Sequence, residues 1–187
     1  MGYSAALVEN GCERRIEPGG TPSAACYHPL MRIALYQPDI PQNAGTIMRM
    51  AACLGLPVDL IGPAGFDASD RAFRRAGLDY LGHVEIGRYQ SFEAFEAWRA
   101  ADGPRRLVLL TTRADIGYLD FAFGLRDILL LGRESAGVPE AVHTAVDARI
   151  RIPMRPGLRS LNVAVAAAMV LGEALRQLRA RGRTGDD

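Results

Sequence analysis

The residues best suited to chemistry lie in two short segments. One is Gly132-Arg133-Glu134-Ser135-Ala136-Gly137-Val138-Pro139, and the other runs from Ile152-Pro153 to Ser160-Leu161-Asn162. Each follows an apolar run that reads as a strand, and open α/β sheets bind ligands at the carboxyl ends of their strands. Pro153, Pro156 and Gly157 restrain the second segment, so its backbone groups are held in place and left partly unpaired. Fixed backbone donors and acceptors suit an adenine ring, and two such loops can clamp one nucleoside. The same glycines and prolines would serve equally as ordinary helix-entry turns. Ser160 reads as the N-cap of the helix that follows, with Asn162 inside its first turn.

The rest of the chemical inventory is restrictive. The 22 basic residues are all Arg, which excludes a P-loop lysine, a Schiff-base lysine and a Ser-Lys dyad. Any cation at a phosphate is therefore a planar, permanently charged guanidinium. A net charge of +1 carries no global nucleic-acid signature, so a basic surface has to be local. The first strand-to-helix turn reads Gln37-Pro38-Asp39-Ile40-Pro41-Gln42-Asn43-Ala44-Gly45, where a dinucleotide-binding fold needs Gly-x-Gly-x-x-Gly. Walker A, Gly-x-Ser-x-Gly and His-Glu-x-x-His motifs are missing as well. His28, His83 and His143 show neither ligand spacing nor a nucleophile partner, and nothing calls for a metal. Cys12, Cys26 and Cys53 are unclustered and odd in number, so no disulfide framework is expected; Cys53 reads as a small core residue.

These segments need a scaffold, and 187 residues with 49% hydrophobic and 23% charged content are enough for one globular core. Apolar runs at Ile33-Tyr36, Val58-Ile61, Val84-Ile86, Leu107-Thr111, Ile128-Leu131 and Ile150-Ile152 read as strands buried on both faces. Ala44-Leu54, Ser69-Ala76, Ser91-Ala101, Pro139-Val146 and Ser160-Arg179 read as helices between or after them. The expected fold is one α/β domain over residues 31–180, with a largely parallel sheet and helices on both faces. Residues 1–30 hold turn and breaker chemistry without a sustained period and are expected to be a disordered extension, or to follow a start assigned upstream of Met31. Residues 181–187 are expected to form a flexible tail. No apolar run approaches the ~20 residues of a spanning helix, so the expected location is the cytoplasm. Val163 to Gly172 carries no polar side chain, so this helix must be covered on two sides, by the sheet and by a second subunit; a homodimer is expected.

From about Met31 to Arg179 the chain resembles the SPOUT superfamily of S-adenosylmethionine (AdoMet)-dependent RNA methyltransferases. The resemblance rests on three ordered motifs: Asn43-Ala44-Gly45 with Arg49, Gly132 through Pro139, and Ile152-Pro153 with Ser160-Leu161-Asn162. Leu35 through Asn43, and Arg74-Arg75-Ala76-Gly77-Leu78-Asp79-Tyr80, are similar to members that methylate the wobble ribose of tRNA. The resemblance implies a C-terminal trefoil knot, an obligate homodimer, and AdoMet held at Leu110, Gly132, Ile152, Ser160 and Leu161, with Glu134 bracing the cofactor loop. It gives Arg49 the activating role and Asn43 a part in ordering the loop. Because an arginine is a poor base, a charge-assisted contact to the developing alkoxide or its phosphate is the favoured chemistry, with deprotonation left open. Arg155 and Arg159, with Arg74 and Arg75, are the candidates for tRNA phosphates. A target elsewhere in tRNA or rRNA would need the same catalytic motifs and stays open. Ala164, Val165 and Gly172 depart from the polar and aromatic residues that such relatives carry.

Overall fold

The protein is described by a computed structural model covering residues 31–66 and 71–183. The extension expected over residues 1–30, and residues 184–187 of the expected tail, lie outside the described residues.

Among the described residues, seven strands form one sheet: β1 (Arg32–Tyr36), β2 (Val58–Ile61), β3 (Ile86–Tyr89), β4 (Leu107–Leu110), β5 (Ile116–Gly117), β6 (Ile128–Leu131) and β7 (Ala148–Arg151). Their order is β3-β2-β1-β6-β4-β7-β5, and every ladder is parallel. Ile33 is in register with Val58 on one side and Leu129 on the other. The helices are α1 (Pro41–Leu54), α2 (Arg71–Gly77), α3 (Phe92–Ala101), α4 (Glu140–Ala145) and α5 (Val163–Arg183), with a 3-10 turn at Leu78–His83.

The continuous apolar runs have the meaning expected of a parallel sheet covered on both faces. Alternate side chains Ile33, Leu35, Val108, Leu129, Leu131 and Ile150 join the core formed with α1 and α5. Their neighbours Ala34, Tyr36, Leu107, Leu109, Ile128 and Leu130 join Phe95 of α3 and Val142 of α4 on the other face.

Four local readings need correction. Helix α1 begins at Pro41, three residues before the expected start, because proline at the first helical position has its φ preset and loses no intrahelical donor. It buries Ala44, Ile47, Met48 and Ala51 on one stripe, and Cys53 falls off that stripe and is exposed, not a core residue. Strand β3 lies two residues later than Val84-Ile86 and includes Gly87, a weak strand former. A Cβ there would stand 2.3 Å from Asp59 Oδ1, so the glycine makes room for a buried carboxylate. Helix α5 runs on through Arg183, into the segment expected to be a flexible tail.

That carboxylate anchors the end of the sheet away from the loops of interest. Arg32 Nε donates to Asp59 Oδ2 at 2.8 Å and Arg32 Nη2 donates to Asp59 Oδ1 at 2.9 Å, a bidentate pair with Asp59 fully buried. Trp98 lies under the guanidinium, 5.0 Å from ring centroid to Cζ.

Candidate functional site

The sheet order makes β6, β4 and β7 neighbours, so the loops leaving their carboxyl ends converge. Together with the starts of α1 and α5 they surround a cavity of about 420 Å³. Leu110, Gly132, Glu134, Ile152, Ser160 and Leu161 all line it, although they come from four separate stretches of chain. Asn43 and Arg159 line it too, as do Thr111 and Thr112 just beyond β4. The mixture of apolar walls and a few convergent polar groups, at this size, is that of a small-molecule site.

Each loop has a local cause. Arg133 N donates to Gly137 O at 3.0 Å and Gly137 N to Arg133 O at 2.8 Å, which folds the first loop back on itself. Gly137 sits at φ +67°, and a Cβ on Gly132 would be 2.8 Å from the Gly137 carbonyl carbon. The two glycines are thus required by the loop's own closure, and Gly132 brings bare backbone to the cavity wall. The second loop turns at Gly157 with φ +86°. It ends at Asn162, whose Oδ1 accepts from the amides of Ala164 at 2.9 Å and Val165 at 3.3 Å. Asn162, not Ser160, is the helix cap, which leaves the Ser160 side chain at the cavity wall.

A relay of hydrogen bonds ties the three motifs together. Asn162 Nδ2 donates to Asn43 Oδ1 at 2.9 Å, and Asn43 Nδ2 donates to Glu134 Oε1 at 3.1 Å. Glu134 Oε2 accepts from the Asp39 amide at 3.1 Å, while the Glu134 amide donates to Asp39 Oδ1 at 3.2 Å. Ser135 Oγ also donates to the Asp39 carboxylate. Burial first, then the adjoining Asp39 carboxyl, pushes Glu134 above the ordinary glutamate range. Interaction with Glu134, followed by the Ser135 hydroxyl, the Glu134 amide and the Arg133 charge, holds Asp39 at about 2. Asp39 is the site residue that sequence reading missed; its signal was its place in the first strand-to-helix turn.

The remaining candidates stand apart. Arg49 is exposed on α1 and does not line the cavity; its guanidinium lies over the Tyr80 ring, 5.1 Å from the centroid. Arg155 is exposed on the second loop, outside the cavity lining, and Arg75 is exposed on α2, the helix that also carries Arg74. Beside the cavity, α5 presents Val165 and Met169 to solvent, 52% and 39% exposed, next to Leu161. Among the described residues no helix is long and apolar enough to cross a membrane.

Residues 30–172 match the SpoU rRNA Methylase family. The chain belongs to that family. This SpoU methylase is 64% identical over 154 residues to the tRNA (cytidine(34)-2'-O)-methyltransferase of Beijerinckia indica subsp. indica, covering 82% of this chain and 96% of the relative. A solved structure described as giving structural insights into the 2-OH methylation of C/U34 on tRNA is similar at a TM-score of 0.76 and 41% identity, over 80% of this chain and 97% of that one. An AdoMet-bound rRNA methyltransferase from Sinorhizobium meliloti is similar at a TM-score of 0.72 and 30% identity, over 79% of this chain and 56% of that one. SpoU methylases use AdoMet as methyl donor, and the cavity fits such a group: apolar Leu110, Ile152 and Leu161 for a flat base, and Ser160 and Thr111 for polar ends.

Proposed function

We propose that this SpoU methylase methylates the ribose 2'-hydroxyl of the wobble nucleotide, position 34, of tRNA anticodons. The nucleotide is cytidine or a 5-modified uridine, in tRNA-Leu isoacceptors. The observation that carries the reading is the convergence of all three motifs on one cavity, joined through Asn162, Asn43 and Glu134. The near-complete coverage of tRNA wobble methyltransferases by this chain supports the choice of target.

Leu110, Gly132, Ile152, Ser160 and Leu161 hold AdoMet, which when bound supplies a methyl group on a sulfonium centre. Glu134 and Asn43 keep the two loops at fixed separation, so that the donor meets an incoming hydroxyl in line; such positioning contributes roughly 7–11 kcal/mol to reactions of this kind. Held by these residues, the donor would give its methyl group to the ribose 2'-oxygen and be left as a neutral thioether, with the hydroxyl proton released to water. Arg49 stabilises the negative charge that develops on that oxygen or fixes the neighbouring phosphate. Because Arg49 does not line the cavity of its own chain, it works where two copies meet. The apolar face of Leu161, Val165 and Met169, with the neighbouring α1, is the surface on which a homodimer forms. The crossing of residues 152–162 from β7 back to α1, past the ends of β4 and β6, supports a trefoil knot in the C-terminal part. The cytoplasm, where tRNA is modified, is its location.

Incubating total tRNA with labelled AdoMet and mapping the labelled nucleotide tests the target. Label at position 34 is expected, and label confined to any other nucleotide overturns it. Arg49→Ala is expected to abolish transfer and to leave AdoMet binding by calorimetry intact; retained turnover removes Arg49 from the reaction.

A further inference from the structure

The chain as a whole is nearly neutral, yet residues 148–172 contain four arginines and no carboxylate. Arg155 and Arg159 belong to the loop at the cavity. Arg149 and Arg151 lie upstream on β7, and both are exposed.

Their orientation follows from the strand. Ile150 between them is buried in the core shared with α1 and α5, so residues 149 and 151 project from the opposite face, the one that carries α4. Helix α4 has only six residues, and β5, the outer neighbour of β7, has two, so this corner of the sheet is left open. No salt bridge or side-chain hydrogen bond occupies Arg149 or Arg151 among the described residues. Glu140 of α4 is close enough for the Arg149 charge to lower its pKa, but its carboxylate is held by Arg113 at 2.8 Å. Arg32, Arg99 and Arg106, by contrast, each have a carboxylate within 2.8 Å. Unpaired guanidiniums two residues apart on a strand are about 6.6 Å apart along it, and Arg151 directly precedes Ile152 of the cavity wall.

We propose that Arg149 and Arg151 bind backbone phosphates of the tRNA stem next to the methylated nucleotide, extending the RNA surface from the cavity across the open β7 corner. This rests on the tRNA reading above and specifies where the substrate lies. Arg149 and Arg151 grip the backbone without reading sequence, and Arg113, half-committed to Glu140, borders the same strip.

The test is the double variant Arg149→Gln/Arg151→Gln, with Arg149→Lys/Arg151→Lys as a charge-retaining partner and Arg88→Gln, exposed on β3 at the other end of the sheet, as control. Binding of a tRNA that the wild-type protein methylates is measured between 50 and 200 mM salt, and AdoMet binding by calorimetry. The Gln pair is expected to weaken tRNA binding on the order of tenfold and to reduce the slope of log K against log salt by about 2. The Lys pair should keep most of both, and all variants should keep AdoMet affinity. An unchanged tRNA affinity and slope in the Gln pair, with wild-type methylation of that tRNA intact, overturns this proposal and leaves the enzyme reading standing. Wild-type protein that methylates no tRNA overturns both. Loss of AdoMet affinity in the Gln pair together with the Lys pair refutes it too, since the side chains would then be holding the fold.

Discussion

Asn43→Ala probes the relay at its middle. The side chain is 9% exposed and makes two bonds, donating to Glu134 Oε1 at 3.1 Å and accepting from Asn162 Nδ2 at 2.9 Å. A hydrogen bond to a charged group contributes about 1.5–3 kcal/mol and a neutral one about 0.5–1.5 kcal/mol. Asn162 is exposed, so water takes over most of the second bond, whereas Glu134 loses a partner in a half-buried setting. The expected loss is therefore about 2–3 kcal/mol, which for a domain of this size lowers the melting temperature by roughly 4–12 °C. The cost falls on the two loops that form the cavity, so calorimetry should show AdoMet binding at least tenfold weaker, equivalent to about 1.4 kcal/mol of it. Asn43→Asp sharpens the test, because it sets a second carboxylate about 3 Å from Glu134. Its defect should exceed that of alanine at neutral pH and shrink on acidification. An alanine variant that binds AdoMet within twofold of wild type and melts within a degree of it would refute the relay as the brace of the site.

Two further outcomes follow from the same geometry. Asp59→Asn leaves Arg32 buried with only the exposed Glu85 as charged partner, and urea unfolding should show a loss of about 3–5 kcal/mol; a loss under 1 kcal/mol would mean the pair contributes little. The Asp39–Glu134 pair gives a pH dependence with opposing parts. Asp39, lowered to about 2, contributes stability above its ordinary value near 3.9 that is lost as pH falls towards 2. Glu134, raised, contributes stability present below its ordinary value near 4.3 and lost as pH rises through its folded value. The melting temperature of Glu134→Gln minus that of wild type should therefore climb between pH 4 and pH 8, and a flat difference would sink the assignment.

Much of this was readable from the residues because the parallel sheet leaves a simple trace: largely apolar runs at β1, β2, β4 and β6, broken only by Arg32 and Asp59, each followed by a helical pattern or a turn. The motif residues could be gathered because their loops all leave strand carboxyl ends. What escaped were features set by distant partners. Gly87 is in a strand because Asp59 occupies the space beside it, and nothing local in Val84-Glu85-Ile86-Gly87-Arg88 says so. Strand β5 has two residues and exists only because β7 offers an edge. The cap at Asn162 beat Ser160 since its amide also reaches Asn43, 119 positions earlier. Arg49 was identifiable as chemistry but not as distance: spacing along α1 cannot show that it lies off the cavity, over Tyr80.

The strand order has a consequence during synthesis. Strand β1, third in the sheet, is flanked by β2 and β6, and β6 follows β1 by roughly ninety residues. At about 5–20 residues per second, a ribosome that has released β1, β2 and β3 still has about forty residues to add, roughly 2–8 s, before it delivers the strand that closes the open side of β1. Through that interval the nascent chain carries an unpaired edge of Ile33, Ala34 and Leu35, in a half-sheet whose second face has no covering helix from the C-terminal part. Long-range parallel pairing of this kind folds slowly. The waiting edge is where holdase chaperones would be expected to engage the chain, and where overproduction that outruns them would turn product into aggregate.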